Sequence, residues 1–202
     1  MPTVMTHAAV GVALMRLAIP SAKGRAGRYL CAAAAIGAMA ADGDVIAFRF
    51  GIPYEGKLGH RGFSHSLVAA ALIGGVMWTY ARWRSKAEKA EVGLVAYLAL
   101  AAIVATHPLL DMLTDGGLGC ALFAPFSWDR LFFPVTPIPV SPIGPHAGVW
   151  QVFGWELLLF WPLCVAGVLA AWPRLSKIRR AVALATGVAL CAAAFVYRGY
   201  AS

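Results

Sequence analysis

Four long stretches of this sequence are apolar and almost free of charge, and they constrain the fold more than any other feature. They cover residues 67–80, 92–105, 152–172 and 181–197. With flanking residues where needed, each reaches the length of about 20 residues that crosses a bilayer as a helix. Two weaker segments, 4–20 and 29–50, have the same apolar character but carry a few polar residues. We therefore predict six transmembrane segments.

Helix is the expected state of all six segments. Hydrocarbon offers the backbone no hydrogen-bond partners, so a spanning segment is either helical or part of a closed barrel. The ten-residue alternation of apolar and polar residues that a barrel strand needs is absent from the sequence. A chain of 202 residues that is 60% hydrophobic and 13% charged is also too apolar for an ordinary soluble domain. The predicted fold is an all-α polytopic membrane protein with its helices joined as three hairpins.

The basic residues are distributed unevenly between the predicted loops. Of the 17 lysines and arginines, 12 are Arg16 or lie in the loops after the first, third and fifth segments, and five lie on the other side. Cytoplasmic loops carry such an excess of Lys and Arg. We therefore expect both termini and the loops 49–65 and 111–150 to lie outside the cytoplasm. The net charge of +8 then reflects topology, and no nucleic-acid partner is expected.

Residues 114–148 form a long stretch that cannot be a continuous helix, because six prolines interrupt it. Its Phe and Trp side chains suit the headgroup region of a bilayer. The stretch is either a packed loop in contact with lipid or a lid over a site. A structureless loop of this length often has a role, which supports the second interpretation.

Histidine and aspartate residues cluster at segment ends that this threading places on one side of the bilayer. His107 and Asp111, at the end of the fourth segment, are four residues apart and share a helix face. Asp42 and Asp44 stand where the second segment leaves the bilayer, and acidic residues there are unfavourable unless paired, hydrated or metal-bound. His7 reaches the same side. We expect a divalent-metal site here. For Asp44, a role in capping and ending the helix in water fits equally well.

The most specific motif is HRGFSHS at residues 60–66, directly before the third segment. Imidazole is the commonest ligand for zinc, which makes His60 and His65 candidates. Arg61 has a planar fork that matches a phosphate or a carboxylate. The loop also fits a simpler role, in which it caps the helix and contacts lipid phosphates. His146 stands alone among prolines and glycines, and nothing marks it as a ligand.

Together these motifs resemble those of the YdjM family of bacterial inner-membrane proteins, regarded as metal-dependent hydrolases. The resemblance covers residues 1–150 and rests on TH at 6–7, DGD at 42–44, HRGFSHS at 60–66, HPLLD at 107–111, TDGG at 114–117 and WDR at 128–130. That family is distantly similar to zinc-dependent phospholipase C and the P1-type nucleases. The resemblance implies phosphoester hydrolysis with one or two zinc-type ions at the inner (cytoplasmic) membrane. We expect one integral membrane domain over 1–202, in which 1–150 is the metal-site core and 151–198 adds two helices.

Two functions fit these residues, and both place the protein in a lipid bilayer. The first is a membrane-bound hydrolase of a phosphoester or lipid substrate, with the metal held by His7, Asp42, His65, His107 and Asp111. Arg61 then neutralises the substrate phosphoryl group, and Asp44 or His60 acts as general base or orients a ligand. In the second, a non-enzymatic protein binds a structural or transported metal. Ligands at one interface disfavour transport, and an open coordination position beside Arg61 would favour the enzyme.

Overall fold

The computed structural model describes residues 2–85, 92–143, 148–172 and 174–201. Seven α-helices lie in these ranges: α1 Val4–Ala18, α2 Gly24–Met39, α3 Leu67–Ser85, α4 Leu94–Asp111, α5 Gly148–Leu159, α6 Trp161–Ala170 and α7 Lys177–Ala201. Two 3₁₀ segments, Ala40–Phe50 and Phe63–His65, follow α2 and precede α3. The same ranges contain no strand, and the all-α prediction is confirmed. His146, Lys86 and Lys89 lie outside the described residues.

Three helical stretches of the described chain are long and apolar enough to cross a membrane: Gly24–Phe50, Leu94–Asp111 and Lys177–Tyr197. The α5–α6 pair would make a fourth, but only as a bent span. α1 has 15 residues and is shorter than a full span, and α3 is not among the candidates although it has 19 residues. Six spans and the three-hairpin arrangement therefore stay predictions.

The fifth predicted segment, 152–172, is not a single helix. α5 ends at Leu159 and α6 begins at Trp161, with a bend of 46° between them. Pro162 stands in the first turn of α6. A proline fits there because its missing N–H would be unpaired anyway, whereas in a continuous helix its ring would clash with the carbonyl four residues earlier. The expectation of one helix here is wrong for this reason.

Small residues let the first four helices approach one another closely. A Cβ on Gly11 in α1 would lie 2.6 Å from the Ala34 carbonyl oxygen of α2. A Cβ on Gly74 in α3 would lie 2.7 Å from the Cα of Ala101 in α4. Alanines of α2 supply much of the buried core around these contacts. Close packing of small residues is the usual way to build helix contacts in lipid. Moving an apolar side chain from lipid into a helix interface gains little free energy, because lipid is itself apolar.

Four elements meet at one end of the helix bundle and form the candidate site. They are the start of α1, the 3₁₀ segment after α2, the turn before α3 and the end of α4. The non-helical chain after α4 folds over them, and the Ala121 N–H donates to the Arg61 carbonyl at 3.0 Å. Phe123 and Phe126 of this loop stay exposed, at 52% and 87%. The described part of the loop is thus packed on the site while presenting aromatic side chains outward.

Candidate metal centre

Asp42, His65, His107 and Asp111 direct one ligand atom each to a common point. These atoms all lie within 4.8 Å of one another. Asp42 stands in the 3₁₀ segment, His65 ends the turn before α3, and the other two occupy the last turns of α4. All four residues are buried, Asp42 being the most exposed at 6%. The structure therefore brings together four of the five residues predicted as ligands.

Four of the six separations among these atoms are close to those around a tetrahedral zinc ion. Asp42 Oδ1 lies 3.3 Å from His107 Nε2 and 3.7 Å from His65 Nε2. The two Nε2 atoms are 3.1 Å apart, and His65 Nε2 lies 3.4 Å from Asp111 Oδ2. Zinc bonds to nitrogen and oxygen place tetrahedral ligand atoms about 3.3–3.4 Å apart. These four separations suit one such ion, and all six lie within 4.8 Å.

His65 and His107 each have a contact at Nδ1, on the side of the ring away from the ligand cluster. These contacts leave both Nε2 lone pairs facing the cluster. His107 Nδ1 donates to the Ala38 carbonyl at 2.6 Å. His65 Nδ1 lies 3.1 Å from Asp44 Oδ2, and the Ser64 hydroxyl donates to the same oxygen. A carbonyl or carboxylate behind a ligating histidine fixes its tautomer and raises the basicity of the ring. This support is typical of metal centres.

Several polar atoms of the cluster have no hydrogen-bond partner among the described residues. They are both carboxylate oxygens of Asp42, Oδ1 of Asp111 and both ring nitrogens of His7. A buried carboxylate without a partner is strongly unfavourable. A cation at the point where the ligand atoms converge would remove this penalty, so these atoms are the strongest indication of a metal site.

His7 lies beside the four-ligand group rather than within it. Its Nε2 is 3.3 Å from Asp111 Oδ1, and its ring stacks on that of His107 with the centroids 3.8 Å apart. Asp111 thus faces His65 through one oxygen and His7 through the other. His7 is placed to be a fifth donor, or to hold a second ion bridged by Asp111.

Three carboxylates strengthen the affinity of His65 for a cation. Burial alone would lower the pKa of His65, but the neighbouring carboxylates of Asp111, Asp42 and Asp44 outweigh burial and hold that pKa well above its usual range. A divalent ion at the same point would take the place of the proton, because ligating histidines bind metals in the neutral form.

The contacts of Arg61 differ from the predicted phosphate contact. Its side chain is fully buried. Nε donates to Asp111 Oδ2 at 3.1 Å, and Nη2 donates to Thr114 Oγ1 at 2.9 Å. Nη1 donates to the carbonyls of Gly116 and Leu118 at 3.1 and 3.0 Å. Because the fork is directed at the protein itself, the geometry favours a role in orienting Asp111 over one in binding substrate.

Asp44 and His60 form a second group beside the first. His60 Nδ1 lies 2.6 Å from Asp44 Oδ1, and the Arg61 N–H donates to Asp44 Oδ2 at 3.1 Å. With His65, these two residues also offer ligand atoms within 4.8 Å of one another. Asp44 therefore joins the motif at residues 60–66 to the 3₁₀ segment. Of its two predicted roles, the contacts favour orientation of His65 over general base.

Sequence reasoning missed the role of Arg130, the last residue of the WDR motif. Its Nη1 donates to the His60 carbonyl at 3.0 Å, and its Nη2 donates to the carbonyls of Tyr54 and Gly56, both at 3.1 Å. The side chain thereby ties the loop before α3 to the loop after α4. A sequence does not show which main-chain carbonyls will accept a hydrogen bond from a given side chain. The WDR motif itself was the signal that pointed to Arg130.

Comparison with known proteins identifies the family. The model of the YdjM inner membrane protein family matches residues 1–201. The chain belongs to this family. It is also 38% identical over 148 residues to Inner membrane protein YbcI of Escherichia coli (strain K12), a match that covers 70% of this chain and 78% of that protein. The resemblance is confirmed, and the family match extends past residue 150.

No solved structure matches this chain. The distant similarity to phospholipase C and the P1-type nucleases therefore stays a prediction. Family membership and the apolar helices together make this a membrane protein with a buried His and Asp cluster able to hold a metal ion.

Proposed function

We propose that this protein is an inner-membrane metalloprotein that hydrolyses a phosphoester or phospholipid-type bond with a zinc-type ion. The observation that carries the proposal is the convergence of four buried ligand atoms, with unpartnered carboxylate oxygens, on one point. Two imidazoles and two carboxylates are a donor set that suits zinc. Zinc with an open coordination position lowers the pKa of a bound water to about 7 and so supplies a nucleophile at neutral pH.

The residues of the chain would position the ion and the reacting bond. The ion is held by Asp42, His65, His107 and Asp111. His7 stands where a further ligand or a second ion would bind. Asp44 keeps the His65 ring in place, and Arg61 keeps the Asp111 carboxylate in place. His60, hydrogen-bonded to Asp44, is the candidate general base.

A structural metal is the alternative that the burial of the site favours. All four ligand residues are buried, and four protein donors complete a tetrahedral shell without water. However, His7 and the unpartnered oxygens of Asp42 and Asp111 also lie at this centre. The donors therefore exceed what one tetrahedral ion uses. Surplus donors suit a centre that changes its coordination during a reaction, so the hydrolase is the first proposal.

The proposal includes an arrangement in the membrane. Six spans form one domain over residues 1–202, and the site faces the extracytoplasmic side of the bacterial inner membrane. The excess of Lys and Arg in alternate loops supports this orientation. Trp161 of α6 donates to Thr6 of α1 at 3.3 Å, which supports one domain that includes the helices after residue 150.

Metal analysis of the purified protein tests the assigned ligands. We expect one or two zinc-type ions per chain and little metal in His107→Ala and Asp42→Asn. Leu109→Ala is a matched control on the same helix, since Leu109 is 37% exposed, and it should keep its metal. Stoichiometric metal in both ligand variants would contradict the site.

A hydrolysis screen then separates the enzyme from the structural alternative. Phospholipids and nucleotides are offered with and without a chelator. Hydrolysis should stop when metal is removed and resume when zinc is returned. A protein that unfolds without metal, yet hydrolyses nothing when metal is bound, would favour the structural role.

A further inference from the structure

An apolar cavity of about 330 Å³ lies between α1, α4, α6 and α7. Its walls include Val10, Leu110, Phe160 and Leu184. Leu17 and Leu163 also line it and are 42% and 43% exposed, so the cavity opens at the side of the helix bundle. In a membrane protein that side faces hydrocarbon rather than water.

Two residues that line the cavity lie within one helical turn of residues of the metal centre. Val10 follows His7 by three residues in α1, so the two share a helix face and lie within one turn, about 5.4 Å. Leu110 directly precedes Asp111 at the end of α4. The two helices that contribute His7 and Asp111 therefore also form walls of the cavity.

A buried carboxylate also lies one helical turn away from a third lining residue, Phe160. Glu156 stands one turn before Phe160, whose N–H donates to the Glu156 carbonyl at 2.9 Å. The Glu156 carboxylate is buried and accepts hydrogen bonds from the Thr3 N–H and the Thr6 hydroxyl, both at 2.6 Å. The lining of the cavity is thus apolar, and buried polar groups lie within one helical turn beyond its Val10, Leu110 and Phe160 walls. A phospholipid has the same order, with an apolar chain that leads to a polar headgroup.

We propose that this cavity binds an acyl chain of a phospholipid, with the headgroup end of the lipid at the metal centre. The proposal rests on the proposed function and gives its substrate class, a bilayer phospholipid that enters sideways from the hydrocarbon. The lateral opening at Leu17 and Leu163 is the route. It accounts for a substrate reaching ligands that are closed to water, because the lipid arrives between the helices and not through the loops.

The test counts phospholipid bound to the zinc-loaded protein by native mass spectrometry. Wild type should retain dimyristoyl-phosphatidylglycerol. Leu184→Trp and Leu163→Trp fill the cavity from two helices, and each should reduce retention by about tenfold because the indole overpacks the space of the chain. Leu190→Trp, the same change on α7 at a position 54% exposed, is the control and should bind as wild type does. Metal content and melting temperature verify that all variants are folded.

A comparison of lipids with different chain lengths and headgroups identifies the occupant of the cavity. Dibutyroyl-phosphatidylglycerol carries the headgroup without a long chain and should not be retained. Equal retention of the two lipids, undiminished binding in both filled variants, or a preference for a polyprenyl phosphate would each overturn the proposal. Failure of the proposed function is seen separately. If wild type retains the long-chain lipid but hydrolyses neither it nor a water-soluble phosphodiester with zinc bound, the hydrolase fails and the chain site stands.

Discussion

The carboxylate of Asp44 should control zinc affinity without touching the ion. Its Oδ2 lies 3.1 Å from His65 Nδ1, and its Oδ1 lies 2.6 Å from His60 Nδ1. Asp44→Asn keeps the shape of the side chain but removes its charge and replaces one acceptor oxygen by an NH₂ donor. The His65 ring then loses basicity and orientation. Loss of such a partner weakens metal binding about 10- to 100-fold, which corresponds to ~1.4–2.7 kcal/mol.

Zinc affinity is measured by competition with a chelator of known affinity, at fixed pH, on protein in lipid nanodiscs. Asp129→Asn is the matched control, since Asp129 is exposed and accepts a hydrogen bond from Ser127 in the loop after α4. His65→Ala should weaken binding more than Asp44→Asn, because it removes a ligand rather than its support. Wild-type affinity in a folded Asp44→Asn protein would refute the reasoning and make the contact behind His65 incidental.

Two further predictions concern topology and Arg61. With the native cysteines replaced, Ser21→Cys should be protected from an impermeant thiol reagent in intact cells and Glu55→Cys should react, since both positions are exposed on the protein. The reverse pattern would put the metal centre on the cytoplasmic side. Arg61→Met should lower the free energy of unfolding by about 3–5 kcal/mol, because it removes the arginine that is paired with the buried Asp111 carboxylate. Arg61→Lys should restore only part of this, since lysine lacks the fork, and an unchanged melting temperature in Arg61→Met would return Arg61 to a substrate-binding role.

Helical spacing and topology made part of the site predictable. His107 and Asp111 are four residues apart in an apolar segment, and a helix there places them on one face whatever the rest of the chain does. The ends of the segments then put Asp42 and His65 at a similar depth. These inferences need only periodicity and the alternation of basic loops, and a sequence contains both.

The contacts of Arg61 were not predictable in the same way. Its φ of 62° lies in the left-handed region, which is uncommon for a residue with a side chain. Two of its acceptors are main-chain carbonyls 55 and 57 residues away, and a carbonyl is the same at every position of a chain. Pro162 differs from Arg61, because the residue that causes the structural effect could be read directly from the sequence. Whether a proline bends or ends a membrane helix depends on what neighbouring helices offer the freed backbone groups.

Charge balance favours one divalent ion over two at this centre. Asp42, Asp44 and Asp111 contribute three negative charges, and Arg61 contributes one positive charge in contact with Asp111. A single divalent ion with neutral histidines makes the cluster neutral, which keeps the desolvation penalty of a buried site in a membrane protein smallest. A second divalent ion beside His7 would leave an excess of positive charge unless an anion came with it. The phosphoryl group of the proposed phosphoester substrate would be such an anion, so we expect a second ion at His7 in the substrate-bound state and not in the resting protein.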